Sequence, residues 1–281
     1  MITSLAAPNE IDANAFTFIS DLVKKRSAIV LETKKSYLVE SRLSPIVHAH
    51  GFTSFDSLVT ELKKPNASQL VQEVVEAMTT NETSFFRDLH PFNALKTKVL
   101  PDLIERNRKS QKIMIWSNAC SSGQEAYSIA MLLREYFKEL DRWDVKIVAT
   151  DICTKVLNKA ESGEFNQTEV KRGLPEPLQL KYFNRDKMKW ILKDEIRNMV
   201  TFRPLNLIEP WPSMPPIDIV FLRNVLIYFE VETKRAILAK VHHTLRDGGY
   251  LFLGGAETTL GLNSDFRREQ VGLATCYLKS T

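Results

Sequence analysis

Ile113-Met114-Ile115-Trp116-Ser117-Asn118-Ala119-Cys120-Ser121-Ser122-Gly123-Gln124-Glu125 opens as a short apolar run, passes through small residues and enters a helical stretch. A strand, a small-residue loop and a helix start in that order begin an α/β unit. The small residues let the backbone approach a ligand closely, and a helix N-terminus follows. Only Gly123 is a glycine here, so the loop is not the G-x-G-x-x-G dinucleotide pattern.

The same grammar repeats downstream. Val145–Thr150 is a second run ending at Asp151, Val200–Leu205 a third, Ile217–Phe221 a fourth and Tyr250–Leu253 a fifth. Helical stretches separate most of them, which predicts a mostly parallel sheet covered on both faces. Phe266–Leu278 reads as two strands joined near Gly272, an antiparallel hairpin closing one edge. The stretch from Gly163 to Val200 breaks the alternation. It carries Leu174-Pro175-Glu176-Pro177, Lys189-Trp190-Ile191-Leu192-Lys193 and Asp194-Glu195, and reads as a small inserted antiparallel element.

Upstream, residues 11 to about 78 look helical throughout. Phe16, Ile19 and Val23 form one stripe, and Val39, Leu43, Ile46 and Val47 a second. Phe55, Leu58, Val59 and Leu62 form a third after a cap at Ser54, and Leu70, Val74, Ala77 and Met78 a fourth. Each stripe is read as core packing. The expected organisation is an N-terminal helical domain over 1–78, a linker over 79–92 and a sheet domain over 93–281, with the insert at about 165–200.

A chain of 281 residues can bury a large core. Its net charge of +4 is milder than a nucleic-acid tracking surface carries. Three cysteines, Cys120, Cys153 and Cys276, without paired spacing argue against a disulfide framework. The pairs His48/His50 and His242/His243 lack further ligands at a familiar spacing, so no metal is expected. No segment is long and apolar enough to span a bilayer. Met1-Ile2-Thr3-Ser4-Leu5 lacks a basic stretch ahead of an apolar one, so a secretory signal is not expected and the chain reads as cytoplasmic.

Open parallel sheets bind ligands beyond the C-terminal ends of their strands. The second strand ends at Asp151, which either holds ribose hydroxyls or caps the helix beginning near Thr154; both readings stay open. Asn206-Leu207 end the third strand, and Arg223-Asn224 end the fourth, followed by Val225-Leu226-Ile227-Tyr228-Phe229. Leu245–Leu251 is a glycine turn leading into the fifth. Together these features resemble the class I S-adenosylmethionine methyltransferases. A nicotinamide dehydrogenase is the alternative, and the missing glycine fingerprint and the closing hairpin count against it. The Asn-Pro-Pro-aromatic motif of base amino-methyltransferases is absent from Arg223-Asn224-Val225-Leu226, and Pro215-Pro216 precedes the strand.

Between the helical module and the sheet lies Thr79-Thr80-Asn81-Glu82-Thr83-Ser84-Phe85-Phe86-Arg87-Asp88. This run resembles the signature of the CheR-type chemotaxis protein-glutamate O-methyltransferases. Trp116–Ser128, Ala149-Thr150-Asp151-Ile152, Pro204-Leu205-Asn206-Leu207, Phe221–Phe229 and Gly248–Gly254 match that family in order and spacing, from about residue 14 to 279. Two departures stand out. Gly123-Gln124-Glu125-Ala126-Tyr127-Ser128 replaces the family's Gly-Glu-Glu-Pro-Tyr-Ser, and Gly255-Ala256-Glu257 stands where many members have His-Ser-Glu or similar.

The resemblance implies a class I, Rossmann-like fold and an enzyme that methylates glutamate side chains of methyl-accepting chemotaxis receptors. S-adenosyl-L-methionine would be consumed and S-adenosyl-L-homocysteine released. It implies that Asn81, Thr83 and Arg87 reach over the methionine part of the cofactor. Glu125 would accept from the α-amino group and Asp151 from the ribose. Asn206 and Leu207 would line the adenine. Arg223 and Asn224 would sit beside the sulfonium, and Tyr228 would face the substrate. Arg87, Arg223 and Tyr228 are then the candidate catalytic residues. An ionised carboxylate nucleophile explains a site without a catalytic His or Cys arrangement. The non-enzyme alternative is a catalytically inactive S-adenosylmethionine-binding signalling module.

The first two helical stretches carry Lys24, Lys25, Arg26, Lys34, Lys35 and Arg42 against Glu32 and Glu40. This is either a solvated face or, on the family reading, a docking face centred on Lys34, Lys35 and Arg42 for the cytoplasmic helical domain of the receptors. A monomer without nucleic-acid or membrane partners is expected. Some family members hold a receptor tail through a glycine-rich loop of the insert. Asn184–Leu192 has no glycine, so tail tethering is not expected here.

Overall fold

The computed structural model describes residues 10–280. The reading at Met1–Leu5 lies outside the described residues. The chain forms two compact units: one takes the chain to Thr80 together with Tyr228–Glu230, the other Asn81–Ile227 and Val231 onward.

The helical unit is built from α1 (Ala13–Ser27), α2 (Ser36–Ala49), α3 (Phe55–Leu62) and α4 (Ser68–Met78). Asp12 starts α1 by accepting from the Ala15 N–H at 2.6 Å. Ser54 starts α3 in a reciprocal capping box with Ser57. The four stripes meet as expected: Ile19, Val23, Val39, Leu43, Leu58 and Val74 are fully buried. Ile46 and Ala77 are partly buried against that core. Arg42 is engaged within the unit. Its guanidinium donates to the Met78 and Thr79 carbonyls at 2.8 and 3.1 Å and to Thr80 Oγ1 at 3.2 Å, closing the C-terminus of α4. Lys34 and Lys35 are exposed. Lys35 reaches Glu32 at 3.3 Å.

The second unit contains β1 (Lys112–Asn118), β2 (Asp144–Asp151), β3 (Glu164–Asn166), β4 (Phe183–Asp186), β5 (Lys189–Leu192), β6 (Val200–Pro204), β7 (Ile217–Leu222), β8 (Leu245–Leu253), β9 (Phe266–Val271) and β10 (Ala274–Lys279). The main sheet runs β6-β2-β1-β7-β8-β10-β9. Its first five strands are parallel, and β10 is antiparallel to both neighbours. This is the Rossmann-like sheet of class I methyltransferases with its closing hairpin. The chain winds outward from β1 to β6, then returns to lay β7 and β8 on the other side. The topological switch point therefore falls between β1 and β7, where such sheets bind ligands.

The insert is a second, antiparallel sheet, β3-β5-β4. Lys187 and Met188 alone connect β4 to β5, with Lys187 at φ 51°. The sequence placed a glycine turn ahead of a strand starting at Tyr250. Instead β8 begins at Leu245 and carries Gly248-Gly249 as an irregularity: its register against β7 jumps from Ile217↔Leu245 to Ile219↔Tyr250.

Phe85 fixes the linker by edge contacts to Phe165 and Phe183 of the insert, at 5.1 and 5.8 Å. The ring of Phe92 stacks toward Phe221 at 6.2 Å, and Phe221 on Phe252 at 4.7 Å. Asp218, buried inside β7, accepts from the Met114 N–H at 2.7 Å and Asn107 Nδ2 at 3.2 Å, so the acid is satisfied within an apolar strand. Cys120, Cys153 and Cys276 are buried and form no disulfide among the described residues. No helix among the described residues is long and apolar enough to cross a membrane.

Candidate active site and cofactor site

The site is assembled on the carboxyl edges of β1, β2 and β7. Beyond β1 the chain turns through Ala119 (φ 49°), Ser121 (φ 51°) and Gly123 (φ 89°). Left-handed backbone at two non-glycine residues is strain held by its surroundings, a pattern concentrated at functional sites. Gly123 is required for space as well. A Cβ there would lie 2.9 Å from Ala160 Cβ and 3.0 Å from Phe202 Cζ. The turn delivers the start of the helix Gln124–Tyr136 to the sheet edge.

Asp151, at the end of β2, accepts from the Ser121 N–H at 2.8 Å and the Cys153 N–H at 2.9 Å. Its carboxylate thus ties the β1 loop to the β2 loop. The residue at the helix cap is Cys153, so Asp151 stands two residues ahead of the capping position. Burial, reinforced by the charges of Asp151 and Glu125, pushes the Cys120 thiol well above its ordinary pKa. Cys120 is therefore protonated and a poor nucleophile.

Glu125 and Arg223 form the centre. Arg223 Nη1 donates to Glu125 Oε2 at 2.8 Å, with side chains 1% and 11% exposed. Ser117 Oγ donates to Glu125 Oε1 at 2.7 Å. Arg223 Nη2 donates to the Arg87 carbonyl at 3.0 Å and to Asp88 Oδ2 at 2.7 Å. One arginine at the end of β7 thereby joins the β1 helix to the Arg87-Asp88 segment. Phe86, Asp88 and Leu89 all have positive φ, so this segment is bent into place as well. Arg223 Nε and Asn118 Nδ2 are buried without a hydrogen-bond partner among the described residues.

A further carboxylate organises the loop after β7. Glu257 Oε2 accepts from the Gly254 and Asn224 N–H groups at 2.6 and 2.8 Å. Its Oε1 accepts from Val225 and Leu226 at 2.9 and 2.7 Å. Four backbone donors on one carboxylate hold Asn224 at φ 59°. Gly254 leaves the room this needs, because a Cβ there would lie 2.7 Å from both Glu257 Oε2 and Asn224 Nδ2.

The other expected residues take defined places. The Asn81 carbonyl accepts from Ser121 Oγ at 2.7 Å, so the linker reaches the β1 loop. Thr83 is half-buried. Arg87 Nη1 donates to the Glu82 carbonyl at 2.9 Å. Asn206 closes a turn after β6, contacting Glu209 Oε1 at 3.1 Å and the Ile208 N–H at 3.3 Å. Leu207 is buried, and its carbonyl accepts from Lys240 Nζ at 2.6 Å. Tyr228 ends the short turn Leu226–Tyr228, and its backbone carbonyl accepts from the Val30 N–H within the helical unit at 3.5 Å. Ser117, Asn118, Asp88 and Glu257 belong to the same constellation and were not singled out from the sequence. An acid two residues beyond the Gly254-Gly255 pair was the available signal for Glu257.

These residues suit S-adenosylmethionine. A cationic amine needs a fixed carboxylate, a ribose needs an acceptor, and the methionine carboxylate needs a donor. Glu125, Asp151 and Arg87 are side chains of the kinds required, and the buried Asn118 Nδ2 lies at the sheet edge where a polar ligand would sit. Fold and site together define a class I S-adenosylmethionine-dependent methyltransferase.

Comparison with known proteins narrows the class. Residues 81–273 match "CheR methyltransferase, SAM binding domain", and residues 14–79 match "CheR methyltransferase, all-alpha domain". Chemotaxis protein methyltransferase 1 of Pseudomonas aeruginosa is 43% identical over 271 residues, covering 94% of this chain and 98% of that one. Chemotaxis protein methyltransferase Cher2 of Pseudomonas putida is 40% identical, covering 91% and 94%. The chemotaxis protein methyltransferase of Vibrio anguillarum is 38% identical, covering 88% and 90%. The chain belongs to the CheR methyltransferase family.

Proposed function

We propose that this enzyme transfers the methyl group of S-adenosylmethionine to glutamate carboxylates of methyl-accepting chemotaxis receptors, forming methyl esters in sensory adaptation. It acts in the cytoplasm, as a monomer, on the receptors' helical cytoplasmic domain. The observation that carries this reading is the ordered Arg223–Leu226 segment. Arg223 is locked to Glu125 and Asp88, and the next three residues are clamped by Glu257. A module that only binds the cofactor needs Asp151 and Glu125 but has no use for so rigid a loop leading to Tyr228.

Bound S-adenosylmethionine supplies a methyl group activated by a sulfonium. Glu125 accepts from the α-amino group, Asp151 from the ribose hydroxyls, and Arg87 pairs with the methionine carboxylate. Asn81 and Thr83 cover the methionine end, and Asn206 and Leu207 the adenine. Asn224 borders the sulfonium. Both Nη groups of Arg223 are engaged by protein, so its role is positioning: it holds Glu125 and the Arg87-Asp88 bend where they are needed. The incoming glutamate has a reference pKa of about 4.3 and is already ionised at neutral pH. No general base is required. Tyr228 orients the attacking oxygen, and the site excludes water from opposite charges that cancel as the methyl moves.

Turnover is therefore expected to be nearly flat from about pH 6 to pH 9, above the glutamate value and below tyrosine's of about 10. Tyr228→Phe should lower kcat about tenfold or more and leave S-adenosylhomocysteine affinity unchanged, the pattern of an interaction made chiefly in the transition state. A steep single titration through pH 7, or equal kcat in the variant, would remove this mechanism.

Lys34 and Lys35 provide the basic face for acidic receptor helices. Arg42 supports that face from within, through the carbonyls at the end of α4. Replacing Lys34 and Lys35 with glutamate should raise KM for receptor several-fold at low salt, and the difference should shrink as salt shortens the screening length below about 10 Å. Arg42→Glu should instead lower the melting temperature. Equal KM in the lysine variant at low salt would make that face an ordinary solvated surface.

A further inference from the structure

A cavity of about 1000 Å³ lies between the loop Gly254–Ser264 and the hairpin β9–β10, and Arg223 and Gly254 form part of its wall. A single glutamate side chain would fill only a small part of it, since cavities of roughly 300–1,000 Å³ hold drug-sized ligands. Its walls also carry Leu260, 84% exposed, and Leu273, 79% exposed. Among the described residues they are the first and third most exposed large apolar side chains, with Met188 at 81% between them. They come from two separate chain segments, the loop and the β9–β10 turn, yet border one cavity. His90 and Arg268 add polar, basic groups to the wall, where the carboxylates of Asp88 and Glu257 are already engaged by Arg223 and by four backbone N–H groups.

We infer that this groove receives the acidic amphipathic helix that carries the target glutamate, with Leu260 and Leu273 gripping its apolar side. The inference rests on the receptor-glutamate reading above and deepens it. An amphipathic helix places apolar anchors at i, i+3 or i+4 and i+7 along one face, which suits two separated leucines. Its diameter with side chains is about 10–12 Å, so it enters a broad groove rather than a narrow channel. The groove is continuous with the β7 and β8 edges, so a helix seated there presents a neighbouring glutamate to the reacting edge. Arg268 and His90 complement acidic side chains flanking the target. Neither Leu260 nor Leu273 is itself assigned to cofactor binding, so their loss separates docking from chemistry.

The test is steady-state methylation of a purified receptor cytoplasmic fragment by the full-length wild type and by the L260D/L273D double variant. The expected result is a KM for receptor raised about tenfold or more, with kcat at saturating receptor, S-adenosylhomocysteine affinity and melting temperature unchanged. The single changes Leu260→Ser and Leu273→Ser should each give a smaller rise. An unchanged KM overturns the inference. So does sedimentation showing that wild type self-associates and the double variant does not, because the groove would then serve a second copy of this chain. If wild type itself places no ester on the receptor, the functional reading fails. If wild type does so and the variant matches it, only the docking groove fails.

Discussion

Arg223→Ala is expected to lower stability by about 3–5 kcal/mol, because removing one partner of a buried ion pair leaves the other charge uncompensated. The stranded group is Glu125, whose carboxylate keeps only Ser117 Oγ from its present side-chain partners. The Arg87 carbonyl and Asp88 lose their donor at the same time. At roughly 2–4 °C per kcal/mol for a domain of this size, the melting temperature should fall by about 6–20 °C. Cofactor affinity and kcat should fall together, since the acceptor proposed for the α-amino group and the bend at Arg87 both move. Arg223→Lys keeps a charge but cannot serve two carboxylates and a carbonyl at once, so it should recover only part of the loss. Thermal melting and calorimetry with S-adenosylhomocysteine check this. A variant that melts with wild type would show that the pair does not organise the site.

Asp151→Ala should weaken S-adenosylhomocysteine binding by about 3–6 kcal/mol, from two charge-assisted bonds at about 1.5–3 kcal/mol each. That is roughly a 10²- to 10⁴-fold rise in Kd. The carboxylate also holds the N–H groups of Ser121 and Cys153, so the β1 loop loses its tie to β2. Asp151→Asn keeps one acceptor oxygen and should fall between. Calorimetry showing wild-type affinity in the alanine variant would remove the ribose assignment and leave Asp151 as a loop fastener alone.

Periodicity made most of the architecture legible. Four apolar stripes over residues 11–78 became four helices, and alternating strands and helices became a parallel sheet with an antiparallel hairpin. Asp151, Arg223 and Asn224 stood out as candidates because strand ends are where such sheets bind ligands. The pairing of Arg223 with Glu125 could not, because 98 residues separate them and only the fold brings them together. Glu257 was hidden for the same reason: its four partners are backbone groups, which no side-chain pattern encodes. The left-handed turns escaped notice because Phe86, Asp88, Leu89, Ala119, Ser121 and Asn224 are not glycines. Their conformations are imposed by tertiary contacts rather than allowed by local freedom. Arg42 shows the converse limit. The family resemblance put it on a docking face, and in the fold carbonyls at the end of α4 take up its guanidinium.

The most direct measurement of the central claim is the fate of the transferred methyl. The enzyme is incubated with methyl-labelled S-adenosylmethionine and receptor-containing membranes, and the labelled receptor is then treated with mild base. A glutamate methyl ester releases its label as volatile methanol, and Glu→Gln changes at the receptor's acceptor sites abolish labelling. Label that stays on the receptor through alkali would place the methyl on nitrogen or carbon and contradict a carboxylate acceptor. Tight cofactor binding with no label on the receptor at all would make the protein a binding module instead.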